Sequence, residues 1–183
     1  RFANALASLK CTPAELSWKS GVDVLTLGAT KCGALCAEAV IFFDKALTQN
    51  FEQRRKRTGH LVSKGHFFGA QFVGWLKDNH WLELANHANS KAVQLAEMIS
   101  PFEKIQLIWP VQANVLFITL PRDLASYLQK AGVEFHEWYQ ESLSPNTKLR
   151  DSDVIVRMVT SFATQERHLT EFCELTHKYY SDQ

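Results

Sequence analysis

An α/β fold is what this sequence predicts, on three observations. Strand-like apolar runs and helical periods alternate along the chain without an internal repeat. The 183 residues are 46% apolar and 21% charged, enough to bury one sizeable core or two small ones. The two clearest strand patterns, Asp23 to Leu27 and Val154 to Phe162, lie far apart with long helical stretches between them.

The elements follow in order. Thr12-Pro13-Ala14-Glu15 has the form of a capping box with proline at the first helical position, so a short helix is expected to start there and close near Gly21. Asp23 to Leu27, β-branched and apolar, reads as a buried strand, and Glu38 to Phe43 as another. From Thr48 to Asn79 the pattern is helical, with Phe51, Leu61, Phe68, Phe72 and Trp75 among its apolar positions, although Gly59, Gly65 and Gly69 argue against one uninterrupted helix. A second helix, Trp81 to Ile99, carries Leu84, Ala85, Ala88, Ala92, Leu95 and Ala96 on one face and is ended by Pro101.

The later half alternates faster. Asn114 to Leu120 is a strand stopped by Pro121. Asp123 to Lys130 is a short helix stopped by Gly132, and Val133 to Trp138 is strand-like. Leu143 to Ser152 reads as a turn-rich loop around Pro145 and Asn146. Val154 to Phe162 is a strand, and Thr164 caps a last helix with Leu169, Phe172, Cys173 and Thr176 as its buried stripe. A boundary near residue 85 divides the chain into 1–85 and 86–183.

Composition excludes some functions. Lys and Arg number 20 against 19 Asp and Glu, a net charge of +1, so no bulk electrostatic case exists for nucleic acid or membrane binding. No apolar run approaches the length of a membrane span, and the opening residues do not form a signal peptide. Cys11, Cys32, Cys36 and Cys173 lack the spacing of a zinc or disulfide framework and read as reduced thiols of an intracellular protein, with a cytoplasmic location expected. His60, His80, His87, His136, His168 and His177 show no metal spacing, and no metal site is expected. His87, near the apolar face of its helix, reads as a hydrogen-bonded packing residue. Trp75 and Trp81 read as core or subunit interface.

Two residues carry the chemical argument. Lys31 follows the first strand within a run of small residues, Gly28, Ala29, Gly33, Ala34 and Ala37. There an amine is expected to leave water. Desolvation disfavours its charge, and a neutral amine is a nucleophile able to form a Schiff base with an aldehyde. Against this stands a surface lysine in a turn, the favoured reading on the residues alone because lysine is almost never fully buried. Arg157 lies within the strand Val154 to Phe162, with Ile155 and Val159 on its own face. Its planar fork suits a carboxylate, whether a ligand's or that of a structural aspartate or glutamate, and both readings stand open. Arg54-Arg55-Lys56-Arg57 and Lys64 form a basic stretch on a helix, best read as a solvated face.

Gly28-Ala29-Thr30-Lys31 followed by Gly33-Ala34 and Ala37-Glu38-Ala39-Val40 resembles the cofactor-lysine segment of the threonine aldolase family. Arg1-Phe2-Ala3-Asn4-Ala5 resembles the residues just after the family's Asp-x-Ala step, and Val154 to Thr160 its late arginine strand. The resemblance runs in order along nearly the whole chain. It implies a fold-type I enzyme dependent on pyridoxal 5'-phosphate, with 1–85 the end of the large cofactor domain and 86–183 the small C-terminal α/β domain. It further implies cleavage of L-threonine, or a related β-hydroxy-α-amino acid, to glycine and an aldehyde. Lys31 would hold the cofactor, with Thr30 beside it. Arg157 and Arg1 would bind the substrate carboxylate. Lys64 or His66 would reach the cofactor phosphate from a neighbouring subunit of a homo-oligomer, a dimer of dimers.

Cys32 departs from the polar or small residue expected next to the lysine, which leaves fine substrate preference open. The start on Arg1 rather than methionine makes this chain read as the C-terminal half of an enzyme, inactive alone. The pyridine-nitrogen aspartate, phosphate loop, ring-stacking histidine and general base are expected upstream. Another fold-type I enzyme, an aminotransferase or β-eliminating lyase, uses the same lysine and arginine, and a non-catalytic α/β domain would keep the same scaffold. These two remain the alternatives.

Overall fold

The structure is a computed structural model that describes residues 1–143 and 149–182. It divides into two compact units, Arg1–Asn86 and His87 onward.

In the first unit, helix α1 (Phe2–Leu9) buries Ala3, Asn4 and Leu6 and ends on Lys10 in the left-handed region. The sequence reading assigned no element there, because eight residues give barely two turns of periodicity. The Thr12 box is formed: the Glu15 carboxylate accepts from the Thr12 amide at 2.8 Å and hydroxyl at 2.7 Å, and the Glu15 amide donates to the Thr12 hydroxyl at 3.3 Å. These bonds hold the Glu15 carboxyl below its ordinary range. The expected helix does not follow. A turn leads into a short 3₁₀ segment, Trp18–Ser20, closed by Gly21 at φ 86°.

Strands β1 (Val24–Gly28) and β2 (Glu38–Phe42) form an antiparallel hairpin, Gly28 opposite Glu38. The expectation of a buried first strand is corrected: only Leu27 of β1 is buried, because a two-stranded sheet has one covered face. The Thr48 to Asn79 stretch is broken, as its glycines implied. Helix α2 (Phe51–Arg57) stops before Gly59 at φ 77°, and α3 (His66–Leu76) starts after Gly65. Lys64 therefore lies in a turn between helices and not on the helix of Arg54 to Arg57. The core of this unit gathers Ala3, Leu6, Leu27, Ala29, Cys32, Ala37, Trp75 and Trp81.

Helix α4 (His80–Ile99) begins in the first unit and ends in the second. The second unit holds an antiparallel sheet in the order β3 (Gln106–Leu107), β4 (Val115–Pro121), β6 (Asp153–Val159), β5 (His136–Glu137). Helices α5 (Arg122–Lys130) and α6 (Glu166–Ser181) complete it. One sheet face is apolar: Leu116, Ile118 and Leu120 are 0% exposed and pack with Val154 and Val156, Leu124 and Leu128 of α5, and Leu169 and Phe172 of α6. Each such side chain contributes about 1.5–3 kcal/mol by leaving water.

The stripe read for the last helix is the buried one, but its cap is Gln165, paired reciprocally with His168. The Thr164 hydroxyl instead accepts from the Ser161 amide at 2.8 Å. Only His136–Glu137 of the strand-like Val133 to Trp138 joins the sheet. β6 stops at Val159, where Asn114 and Thr160 close the ladder on each other. Pro145 and Asn146 lie outside the described residues.

Candidate functional site

Lys31 sits in a 3₁₀ turn, Thr30–Cys32, between the strands of the hairpin. The turn is fastened from several directions. The Ala29 amide donates to the Ala37 carbonyl at 2.9 Å, and the Thr30 hydroxyl accepts from the Ala37 amide at 3.1 Å. The Trp75 indole donates to the Cys32 carbonyl at 2.8 Å, and the Cys36 amide to the Gln71 side-chain carbonyl at 2.9 Å. Gly33, at φ 116°, lets the chain leave the turn in a backbone conformation that costs other residues about 1–2 kcal/mol.

This geometry corrects one expectation. The small residues do not enclose Lys31. Ala29, Cys32 and Ala37 point into the core, and Lys31 is exposed. A 3₁₀ turn eclipses positions three apart, so burying Ala29 and Cys32 on one side turns Lys31 to the other. Leu35, 89% exposed, follows on the same loop. The Cys32 thiol lies 3.7 Å from the Asn4 side-chain oxygen. Burial pushes this thiol above its ordinary range.

The hairpin's outer side opens on a groove of about 930 Å³ lined by Glu38 and Val40, Phe51, Arg54 and Arg55 of α2, His60, and Phe68 of α3. Two residues of the basic stretch thus line a cavity rather than a purely solvated face. Lys64 is exposed in the preceding turn, and the ring of His66 stands 4.5 Å from that of Phe67.

In the second unit, Arg157 is half-buried on β6, directly opposite Phe117 of β4 and His136 of β5, on the sheet face away from the apolar core. The salt bridge weighed as its alternative is absent: among the described residues no carboxylate pairs with it, and its buried Nε has no hydrogen-bond partner. Its guanidinium carbon lies 5.1 Å over the ring of Trp138. His87 is exposed, and its Nε2 donates to the Thr164 carbonyl at 2.8 Å. Sequence reasoning missed the Trp75 and Trp138 contacts, since both join residues distant in the chain or on neighbouring strands. Their aromatic character was the only signal.

The fold is the α/β scaffold of the fold-type I pyridoxal-phosphate enzymes. The beta-eliminating lyase pattern matches residues 1–120, and the chain belongs to that family. It is 44% identical over 141 residues to the low specificity L-threonine aldolase of Pseudomonas aeruginosa, covering 77% of this chain and 41% of that protein. It is 42% identical over 136 residues to the low specificity L-threonine aldolase of a Pseudomonas species, covering 74% and 39%. A solved threonine aldolase from Leishmania major superposes with a TM-score of 0.84 at 31% identity, covering 98% of this chain and 49% of that one. The chain spans about two fifths to one half of the length of these relatives. Among the described residues no helix is long and apolar enough to cross a membrane.

Proposed function

We propose that this chain supplies the lysine and the carboxylate-binding arginines of a pyridoxal 5'-phosphate-dependent aldolase, which cleaves L-threonine or a related β-hydroxy-α-amino acid to glycine and an aldehyde. The observation that carries this reading is Lys31, an exposed amine on a turn fastened on both sides by hydrogen bonds. An accessible amine with a fixed base suits covalent attachment of an aldehyde cofactor. The two bacterial relatives, both low specificity L-threonine aldolases, support the choice of reaction.

The residues fit the group in two respects: Lys31 is free to reach an aldehyde, and Arg157 has a buried donor unused by the described residues. When bound, the cofactor supplies an electron sink for the pair released by carbon–carbon cleavage. This chain's residues do the rest. Lys31 holds the cofactor and Thr30 fixes the lysine's backbone. Arg157 and Arg1 bind the amino-acid carboxylate, which aligns the Cα–Cβ bond for cleavage. Lys64 serves the cofactor phosphate. Residues 1–85 belong to the cofactor domain and 86–183 to the small domain of a cytoplasmic homo-oligomer.

The test is Lys31→Ala in the full-length protein. Loss of the visible cofactor absorbance together with loss of glycine and acetaldehyde production from L-threonine is expected. Normal cleavage after this substitution would refute the assignment, and a keto acid product would move the protein to a transaminating reaction.

A further inference from the structure

We propose that Trp138 is a positioning residue that orients Arg157 for a ligand carboxylate, an inference that rests on the carboxylate-binding role given to Arg157 above. The guanidinium carbon of Arg157 lies 5.1 Å over the Trp138 ring. That ring is itself held. The Trp138 amide donates to the Ile155 carbonyl at 2.8 Å, which ties the residue to Arg157's own strand two positions away. On its flank the Phe117 ring stands 5.2 Å off at 63°, and Trp109 braces Phe117 at 5.0 Å and 80°. Phe117 is also the β4 residue directly opposite Arg157. Three aromatic rings from separate segments therefore fix the place where the guanidinium rests.

The chemistry of the contact matters as much as its place. A π face attracts a guanidinium electrostatically without taking up its in-plane N–H donors as a carboxylate does. A structural aspartate at this position would occupy the fork. Trp138 instead restrains the arginine and leaves the fork for a planar anion, and the buried Nε has no partner among the described residues. His136, exposed and opposite Arg157 on β5, borders the same small cavity along with Glu134 and Gln129. The arginine and its aromatic rest thus stand beside a cavity whose wall carries Gln129, Glu134 and His136 together with the apolar Val133, Phe135 and Val159.

The experiment uses the full-length holoenzyme with Trp138→Leu, Trp138→Phe and Arg157→Lys. Two probes are titrated: glycine, which carries the carboxylate, and 1-amino-2-propanol, which has threonine's amine and hydroxyl but no carboxylate. Trp138→Leu is expected to weaken glycine binding and raise the KM for L-threonine by about 5- to 30-fold, with kcat within about twofold. Trp138→Phe, which keeps a weaker π face, is expected to lose about two- to threefold and answers the question if the leucine variant does not fold. Affinity for 1-amino-2-propanol is expected to stay unchanged in all three. Glycine binding weakened in Arg157→Lys but intact in both Trp138 variants overturns the proposal alone. Glycine binding intact in Arg157→Lys overturns the role of Arg157 and the proposal with it. Equal losses for both probes in the Trp138 variants would show a general structural defect and also overturn it.

Discussion

The indole nitrogen of Trp75 donates a 2.8 Å hydrogen bond to the carbonyl of Cys32, joining residues 43 positions apart. The contact is buried, with Trp75 4% exposed, and it lands on the residue that follows Lys31. The same ring packs on Trp81 at 5.3 Å and on Phe72 at 5.9 Å, so its orientation is set by the core. The lysine's turn is thereby fixed to helix α3 as well as to its own hairpin.

Trp75→Phe keeps most of this packing and removes the donor. The Cys32 carbonyl then has no replacement partner in a site sealed from water, which costs about 1–3 kcal/mol. A lower urea midpoint is expected, with faster amide exchange over residues 29–37 than over α1. Uniform exchange acceleration across the first unit would show that the bond has no local effect on the turn.

Thr30 makes a second, independent fastening. Its hydroxyl accepts from the Ala37 amide at 3.1 Å and donates to the Ala37 carbonyl at 3.5 Å. Thr30→Val removes both while keeping the β-branched shape, and about 1 kcal/mol of stability is expected to go with them. Thr30→Ser keeps the hydroxyl and is expected to recover most of it. Equal stabilities for the two variants, measured by urea unfolding, would assign the effect to shape and not to the hydroxyl.

Gly33 tests the backbone. At φ 116° a side chain is strained whatever the space, and a Cβ there meets the Leu84 side chain at 2.5 Å. Gly33→Ala is expected to destabilise by about 1–3 kcal/mol, read as a lower denaturation midpoint at unchanged denaturant slope. A neutral result would mean that the turn relaxes to another conformation.

How far the sequence revealed this arrangement depended on the range of the signal. Lys31 lies in a run of small residues that periodicity and composition detect, and the buried stripe of α6 follows from a 3.6-residue period over a long helix. The exposure of Lys31 was not legible, since small neighbours mark a close approach without saying which side chain occupies the inner face. The Thr12 box forms but the helix expected from it does not, and its hydrogen bonds serve a turn: a cap satisfies amides and does not by itself propagate a helix. The Trp138 rest for Arg157 depends on strand order in a four-stranded sheet, which no local window contains.

The thiols give a pH test. Burial pushes Cys32 and Cys173 above the ordinary thiol range. In the unfolded chain both ionise near about pH 8.5, whereas in the folded protein they hold their protons to higher pH. Below the unfolded value the two states bind the same protons, so neither thiol makes stability vary with pH. As pH rises through that value the unfolded state loses protons first, binds fewer than the native state, and is favoured, so stability falls until the folded thiols ionise too. Tyr180, also raised by burial, has an ordinary value near about 10 and contributes only at higher pH. The urea midpoint is therefore expected to drop as pH rises above about 8.5. The drop is expected to flatten in the Cys32→Ala, Cys173→Ala double variant, whose lower stability at neutral pH serves as the baseline. An undiminished slope in that variant would assign the pH dependence to other groups.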